Sequence, residues 1–368
     1  MMAVIKLILS YILCFSQIFV PINAWVDSKG EAAYFTEWTV KSEFTENDYI
    51  TIEKDSDKDF IILNLADIQL SDGKLYTDEG DYTFELINHL VQDTDPDLIT
   101  LSGDNAWDTA AYLETIAFID SFGIPWAPVM GNHDGQGCPS EFWVAYQLTQ
   151  AENCLFRFGP ADMGYGNYII NITEEGKIIH TLFMMDTHGD DDFELEDGSI
   201  VNGYDHLWHD QKRWYKWAVN GISEIAGGVV ESTVIMHIPV VEYVDAWEMV
   251  SMPEDGLEFG VLNPDYTDIA SGSKNEFSGN SPVNNGFFDL CKELGSTKTM
   301  LVGHDHVNDY MIEYQGINLC YSLKTGFGSY WREDMIGGTT ININSNGNTD
   351  VNHHYYDLVE YGFNVSAD

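Results

Sequence analysis

The alternation of short apolar runs with helical stretches predicts an α/β fold for this chain of 368 residues. Phe60–Ala66 is short and apolar, which is typical of a buried strand, and a helix is predicted around Tyr82–Val91. A second strand at Asp97–Ser102, a helix at Thr109–Phe122 and a third strand at Pro125–Met130 follow. Strands that alternate with helices build βαβ units, so we expect a parallel sheet.

The rest of the chain continues this pattern as one domain. A helix is predicted at Trp208–Ile225, and further strands are predicted at Ile178–Met185, Thr233–Met236, Lys298–Val302, Tyr310–Glu313, Asn318–Ser322 and Thr339–Asn344. We expect an acidic loop from Asp186 to Asp210 and a long loop over residues 250–282. The expected domain covers residues 60–350, after a signal peptide at 1–24 and a lead-in at 25–59, and before a C-terminal tail at 351–368.

The N-terminus has the pattern of a secretory signal peptide. A positive charge at Lys6 precedes an apolar run that ends at Val20, and a small residue follows at Ala24. We therefore expect cleavage after residue 24, no membrane span afterwards, and a secreted or lumenal protein in an extracellular, vacuolar or lysosome-like compartment. A retained membrane anchor is the alternative, but polar residues such as Ser10 interrupt the short apolar run and favour cleavage.

The charge of the chain is strongly negative. It has 60 acidic and 16 basic residues, for a formal net charge of -44 at pH 7. Because nucleic-acid binding draws much of its affinity from Lys and Arg, we expect no nucleic acid partner, and a small phosphorylated substrate instead. The charge would weaken as carboxylates protonate, which suits an acidic compartment; the plainer interpretation is that it provides solubility.

Cysteines and glycosylation sequons fit secretion. Apart from Cys14 in the signal peptide, the chain has an even number of cysteines: Cys138, Cys154, Cys291 and Cys320. Three pairings are possible, and we expect nearest neighbours to pair, Cys138 with Cys154 and Cys291 with Cys320. Asn171 and Asn364 begin sequons and are expected to carry glycans.

Five polar clusters follow five of the predicted strands. They are Asp67-Ile68-Gln69, Gly103-Asp104-Asn105, Gly131-Asn132-His133-Asp134, His237, and Gly303-His304-Asp305-His306. Open α/β sheets place their sites at the carboxyl ends of the strands. One such cluster alone is more often a turn, but five in order are hard to explain as turns. Their carboxylate, carboxamide and imidazole groups are ligands for Zn, Mn or Fe.

This order of motifs resembles the calcineurin-like metallophosphoesterases, and in particular their purple-acid-phosphatase-like subgroup of plant and fungal proteins. The resemblance extends over segments such as Met184–His188, His237–Pro239 and Gly303–Asp309. It implies a four-layer αββα sandwich, in which two mixed sheets are flanked by helices and the metal site lies at the carboxyl edge of the strands.

The resemblance also implies a role for each motif residue. Asp104 would bridge two ions; Asp67, Gln69 and His306 would hold the first, and Asn132, His237 and His304 the second. The ions would be divalent or trivalent, of Fe, Zn, Mn or Mg. His133 would be the acid or charge-stabilising group, and Asp134 would orient it. A hydroxide shared by the ions would attack phosphorus.

Two positions depart from the family pattern. Gln69 stands where the family has a His, and its carbonyl oxygen is a weaker ligand for Zn, so the first ion is expected to be weak, of a harder type, or absent. Trp107 stands where purple acid phosphatases have a ligating Tyr, so no iron-tyrosinate colour is expected.

We therefore expect a secreted metal-dependent enzyme that hydrolyses phosphomonoesters. Two alternatives remain open: a phosphodiesterase of nucleotides or lipid head groups, and a non-catalytic metal-binding protein on the same scaffold. Substrate contacts are expected from Asn105, His188 and Asn285.

Overall fold

The computed structural model describes residues 28–195, 197–252, 260–358 and 362. The predicted signal peptide and the sequon at Asn364 lie outside these residues. Short helices occur at Ser28–Glu31, Glu46–Asp48 and Pro264–Tyr266. The other helices, in chain order, are Asp72–Leu75, Asp78–Thr94, Thr109–Asp120, Glu141–Leu148, His209–Ala226, Glu242–Val250 and Phe287–Leu294.

The described residues form seventeen strands. In chain order they are β1 (Ile50–Glu53), β2 (Phe60–Leu65), β3 (Leu98–Ser102), β4 (Trp126–Val129), β5 (Tyr168–Glu174), β6 (Lys177–Met184), β7 (Asp190–Glu194), β8 (Ile200–Tyr204), β9 (Ser232–Ile235), β10 (Ser251–Met252), β11 (Val261–Leu262), β12 (Ala270–Ser271), β13 (Thr297–Val302), β14 (Met311–Tyr314), β15 (Ile317–Tyr321), β16 (Gly337–Ile343) and β17 (Thr349–Tyr355). The last strand crosses residue 350, at which we expected the domain to end.

Two mixed sheets carry the fold. The first has five strands in the order β17-β16-β2-β3-β4, and β2, β3 and β4 are parallel. The second has eight strands in the order β1-β5-β6-β9-β13-β15-β14-β12, with a parallel centre of β6, β9, β13 and β15. The remaining strands form two small hairpins, β7-β8 and β10-β11.

Alternate residues of the eight-stranded sheet face two different cores. Leu182, Met184 and Ile235 pack into the core shared with the five-stranded sheet. Their neighbours Phe183 and Val234 pack into a second core with the outer helices. Because successive side chains of a strand point to opposite faces, this sheet is buried on both sides. Helix Asp78–Thr94 contacts β2 and β16 on the other side of the molecule, so the predicted four-layer αββα sandwich is confirmed.

Local capping fixes where the helices beside the site begin and end. Asp108 precedes helix Thr109–Asp120, and its carboxylate accepts hydrogen bonds from the N–H groups of Ala110 and Ala111, each at 3.2 Å. Helix His209–Ala226 ends at Gly227, whose φ of 77° lies in the left-handed region. None of the helices in the described part of the chain combines the length and apolarity needed to cross a bilayer.

Candidate metal centre

The predicted ligands lie where parallel strands of both sheets end. Asp67, Asp104 and Asn132 follow β2, β3 and β4 of the five-stranded sheet, and His237 and His304 follow β9 and β13 of the eight-stranded sheet. Asp67, Asp104 and His237 are buried, and each offers a ligand atom within 4.8 Å of the others. The two sheets therefore bring groups that are far apart in sequence to one point.

Four groups converge around the Nε2 atom of His237, at a position that we call the His237 subsite. This atom lies 3.0 Å from Asn132 Oδ1, 3.2 Å from His304 Nδ1 and 3.3 Å from Asp104 Oδ1. Ligands bound to a zinc-like ion at about 2.0–2.1 Å in a tetrahedron lie roughly 3.3 Å apart. The three distances from His237 Nε2 thus match the spacing between ligands of one ion.

The hydrogen bond of His237 Nδ1 turns the Nε2 atom of this ring toward Asp104, Asn132 and His304. Its Nδ1 donates to the backbone oxygen of Ser102 at 2.8 Å, which fixes the tautomer and the ring plane. Burial alone would lower the pKa of His237, but the adjacent Asp104 carboxylate outweighs it and raises the pKa to about 9. Asp104 is buried too, yet the imidazole of His237 holds its pKa well below the usual range.

The second position, which we call the Asp67 subsite, is built from Asp67, His306 and Asp104. His306 Nε2 lies 3.4 Å from Asp67 Oδ1. The Nδ1 of His306 donates to the backbone oxygen of Tyr330 at 2.9 Å, so Nε2 again faces inward. The backbone N–H of His304 donates to Asp67 Oδ2 at 3.0 Å and orients that carboxylate.

Gln69 reaches this subsite with its amide nitrogen rather than its oxygen. Gln69 Nε2 donates to Asp104 Oδ2 at 2.5 Å, whereas Gln69 Oε1 accepts from Lys324 Nζ at 3.2 Å. Lys324 also donates to the backbone oxygen of Asp67 at 2.7 Å. Burial lowers the pKa of Lys324 to about 8, against the opposing effect of the Asp67 and Asp104 carboxylates. The amide oxygen of Gln69 therefore points at Lys324 and not at the Asp67 subsite. This orientation disagrees with the prediction that Gln69 is a metal ligand.

The backbone around the two subsites is folded tightly. Asp67, Gln69, Asp104 and His304 all have φ between 46° and 75°, in the left-handed region that few residues other than glycine adopt. A Cβ atom on Gly131 would lie 2.3 Å from Asp104 Oδ1, so only glycine fits there. The glycine of the Gly131–Asp134 motif thus lets the end of the third strand pack directly against the Asp104 carboxylate.

His133 stands at the mouth of the centre. Its Nε2 lies 4.0 Å from Asp104 Oδ2, its Nδ1 is 2.9 Å from Gln136 Oε1, and its ring packs on Trp107 with centroids 4.1 Å apart. Since the Gln136 oxygen can only accept, Nδ1 carries the proton and Nε2 faces the cleft. Sequence reasoning missed Gln136; its position three residues after His133 was the available signal.

Asp134 was expected to orient His133, and this expectation was wrong. Its carboxylate instead accepts from the backbone N–H groups of Asn105 at 2.7 Å, Ala106 at 3.2 Å and Gly131 at 2.7 Å. The turn that begins at Gly131 curls the side chain back onto its own loop. Asp134 therefore joins the loops after β3 and β4, and its pKa is raised to about 7 by burial and by Asp104.

The three expected substrate contacts have structural partners. Asn105 is buried and donates to Asp134 Oδ2 at 2.9 Å and to the backbone oxygen of Val129 at 3.0 Å. His188 stacks on Trp208 with ring centroids 3.8 Å apart and is not among the residues that line the cleft described below.

Asn285 serves a helix start. Its Oδ1 accepts from the N–H of Phe287, the first residue of helix Phe287–Leu294, at 2.9 Å, and its Nδ2 donates to the backbone oxygen of Leu207 at 2.9 Å. None of these three expectations is supported by the geometry.

An open cleft leads to both subsites. Its lining residues are mostly aromatic or acidic groups and site histidines: Gln69, Asp104, Trp107, His133, Tyr204, Glu276, Phe277, Ser278, Gly279, His304, Asp305, His306, Ser329 and Tyr330. Tyr330 stacks on His306 with centroids 4.1 Å apart, and Tyr204 meets His304 edge-on at 4.2 Å. Of the described residues that line it, none is Lys or Arg.

The predicted disulfides are wrong, because Cys138, Cys154, Cys291 and Cys320 are all free thiols. Cys291 belongs to the core under the outer helices, whereas Cys320 belongs to the core between the sheets, so a layer of sheet separates the two.

The expected glycan at Asn171 is also wrong. This side chain is fully buried in β5, where its Oδ1 accepts from Thr181 Oγ1 at 2.7 Å. A glycan has no room at that position.

Comparison with known proteins agrees with the geometry. Residues 60–308 match the family model described as calcineurin-like phosphoesterase. The chain belongs to this family, as its motif order predicted. The structure brings six of the seven predicted ligands to the two subsites, namely Asp67, Asp104, Asn132, His237, His304 and His306.

Two curated relatives bear on the subgroup. Probable inactive purple acid phosphatase 14 of Arabidopsis thaliana is 29% identical over 280 residues, which cover 67% of this chain and 63% of that protein. Phosphatase DCR2 of Saccharomyces cerevisiae is 25% identical over 352 residues, which cover 86% of this chain and 57% of that protein. This chain thus spans less than two thirds of the length of either relative.

Among solved structures, a dimetal phosphatase from Danio rerio aligns with a TM-score of 0.49 at 11% identity, over 78% of this chain and 94% of that one.

Proposed function

We propose that this chain is a metal-dependent phosphoesterase that hydrolyses phosphomonoesters. The observation that carries the proposal is the His237 subsite, where Asp104, Asn132 and His304 lie within 3.3 Å of one ring nitrogen. Ions at the two subsites would supply a water of lowered pKa and positive charge for the phosphate oxygens. The donor set of imidazole, carboxylate and carboxamide groups suits Zn, Mn or Fe.

The chain's own residues would position and protonate the substrate. His133 Nε2 faces the cleft beside Asp104, where the doubly protonated ring would donate its Nε2 proton to the leaving oxygen and be left as the neutral ring with its proton on Nδ1. Gln136 holds the ring in this orientation through Nδ1. Trp107 covers one face of His133 and shields it from water.

The test is turnover of p-nitrophenyl phosphate by the metal-depleted chain after addition of Mn, Zn, Fe or Mg across a range of pH. We expect metal-dependent turnover, and a loss of about 100-fold or more in His133→Ala. His209→Ala is the matched control, because His209 is exposed on helix His209–Ala226. Bis-p-nitrophenyl phosphate separates a monoesterase from a diesterase. The proposal fails if neither ester is hydrolysed with any of the metals.

The orientation of Gln69 favours a second candidate, a non-catalytic protein that binds metal on the same scaffold. Gln69 offers a donor to the Asp67 subsite, and a donor cannot bind a cation. Metal binding without turnover of either ester would favour this candidate.

We also propose that the protein works outside the cytosol, in a secreted or lumenal location. The support is the sequence pattern from Lys6 to Ala24. Expression in a eukaryotic cell, followed by N-terminal sequencing of the protein from the medium, tests it. A mature N-terminus close to Trp25 is expected, and a chain retained in the cytosol with its first residues intact would overturn it.

A further inference from the structure

We propose that Lys324 locks Gln69 as a hydrogen-bond donor and thereby makes the Asp67 subsite a weak ion site, so that the His237 subsite alone binds an ion tightly. This inference rests on the metal centre of the proposed function, and deepens it by assigning unequal affinities to the two subsites.

The orientation of the Gln69 amide is decided by the chemistry of its two neighbours. An ammonium group can only donate, so the oxygen of Gln69 faces Lys324 at 3.2 Å. The Asp104 carboxylate can only accept, so the nitrogen of Gln69 faces it. A reversed amide would set its NH₂ group against the ammonium and its oxygen against the carboxylate, and both contacts would be repulsive in a buried site.

Lys324 cannot swing away to relieve this conflict. Its side chain is 1% exposed, and Nζ is also bonded to the backbone oxygen of Asp67 at 2.7 Å. Its own backbone is bridged to Ala66 and to Ile336, and its carbonyl accepts from the N–H of Gly337 at 2.9 Å. The ammonium is therefore a fixed part of the floor beneath the Asp67 subsite.

Two consequences weaken ion binding at the Asp67 subsite. Asp67, Asp104 and His306 remain as its ligands, and Asp104 Oδ2 is shared with the Gln69 N–H. The Lys324 charge also offsets part of the negative charge of Asp67 and Asp104, which would otherwise attract a cation. The His237 subsite escapes the first effect, because its donor atoms lie around Oδ1 of Asp104. It is less exposed to the second effect, because Lys324 interacts more strongly with Asp67 than with Asp104.

The experiment measures ion binding to the metal-depleted full chain by calorimetry with Zn²⁺ or Mn²⁺, and by metal analysis after gel filtration. We expect wild type to bind one ion tightly and a second at least 10-fold more weakly. In Lys324→Met the freed amide turns its oxygen inward, and the second ion tightens by 10-fold or more. Lys54→Met, which removes another buried lysine that pairs with Glu174 at 2.7 Å, is the matched control and leaves both affinities unchanged.

A second variant keeps the inference testable if Lys324→Met does not fold. Gln69→Met has a similar length but no amide, and we expect the second affinity to stay the same or to tighten, since the wild-type amide is not a ligand and its N–H no longer shares Asp104 Oδ2. A 10-fold loss of the second ion in Gln69→Met, or two equally tight ions in wild type, would overturn the inference.

These outcomes separate the two proposals. One tight ion without turnover of either ester would end the phosphoesterase proposal and leave the role of Lys324 standing. Two equally tight ions with turnover would do the reverse.

Discussion

The side-chain nitrogen of Asn105 donates a hydrogen bond to Asp134 Oδ2 at 2.9 Å, within a carboxylate that also accepts three backbone N–H groups. This link holds the loop carrying Asp104 against the loop carrying Asn132. Both loops supply groups to the His237 subsite. The geometry of this subsite therefore depends on Asp134, whose carboxylate faces its own loop and not the cleft.

Replacing Asp134 with Asn is expected to lower the free energy of unfolding by about 1–3 kcal/mol, because one oxygen acceptor becomes an NH₂ group facing backbone donors. Urea denaturation of the metal-free protein measures this. Asp59→Asn, an exposed change, is the control. Equal stability of Asp134→Asn and wild type would contradict the role that we assign to this carboxylate.

Removal of the Gln136 side chain is expected to reduce turnover without weakening substrate binding. Gln136 accepts from His133 Nδ1 at 2.9 Å, donates to the backbone oxygen of Asn132 at 3.2 Å and is not among the residues that line the cleft. Gln136→Ala therefore loosens the His133 ring and its loop without removing a group from the cleft. We expect kcat to fall by about 10-fold while KM stays within 2-fold. Steady-state kinetics with p-nitrophenyl phosphate gives both values. A change confined to KM would place Gln136 in substrate binding instead.

The lining of the cleft predicts a preference among phosphate esters. Glu276 and aromatic rings line it, and no Lys or Arg does so within the described chain, so extra phosphate groups would meet no positive side chain. We expect kcat/KM for p-nitrophenyl phosphate to exceed that for ATP by 10-fold or more. Glu276→Gln should narrow this ratio, because one repulsive charge is lost. If the ratio of the two kcat/KM values is the same in Glu276→Gln and wild type, the preference for p-nitrophenyl phosphate does not have an electrostatic origin.

His180 should make the fold sensitive to acid. It is fully buried between Gly347 O at 2.7 Å and Thr233 Oγ1 at 3.0 Å, and burial lowers its pKa to about 4. The unfolded chain takes up the proton below about pH 6.5, while the folded chain resists it until about pH 4. The contribution of neutral His180 to the free energy of unfolding is therefore fully present above pH 6.5. About 3 kcal/mol of it is lost as the pH falls to 4.

The measurement is the free energy of unfolding as a function of pH. In His180→Asn the fall between pH 6.5 and pH 4 should be shallower than in wild type. The exposed change His209→Asn should keep the wild-type slope. Parallel curves for wild type and His180→Asn would show that this histidine is not the acid-sensitive group.

The free cysteines predict a labelling pattern. After unfolding without reductant, iodoacetamide should modify Cys138, Cys154, Cys291 and Cys320, as read by peptide mass spectrometry. In the folded protein Cys291 and Cys320 should stay unlabelled, because both are buried and burial raises the pKa of each thiol. Disulfide-linked peptides from the unreduced protein would show instead that the cysteines are paired.

The strand-end clusters could be predicted from the sequence because the first candidate ligand of each cluster follows its own strand by two or three residues. That spacing is local, and the parallel order of the strands then brings the ends together. The same reasoning identified Asp67, Asp104 and His237, which the structure gathers within one small volume.

Contacts made by tertiary packing were beyond the sequence. Lys324 follows β15 and is distant in sequence from Gln69, and no pattern links the two. Because Asp134 is adjacent to His133 in sequence, we predicted that it orients the His133 ring. Its side chain instead turns away from His133. The expected acidic loop from Asp186 to Asp210 contains the hairpin β7-β8, whose Tyr204 packs on His304. Strand β7 is charged and mostly exposed, and β8 has only two apolar residues before Asn202, so neither strand has the apolar run by which we identified the others.

Four residues of the site have a positive φ, which glycine adopts more readily than other residues: Asp67, Gln69, Asp104 and His304. Each of these conformations lowers the stability of the fold by roughly 1–3 kcal/mol. A redesign that optimised only the main-chain conformation would place glycine at all four positions and raise the free energy of unfolding. It would remove the side chains that meet between the sheets in the same step. Main-chain stability and the geometry of the candidate metal centre are thus opposed in this protein, and a change that improves one is expected to weaken the other.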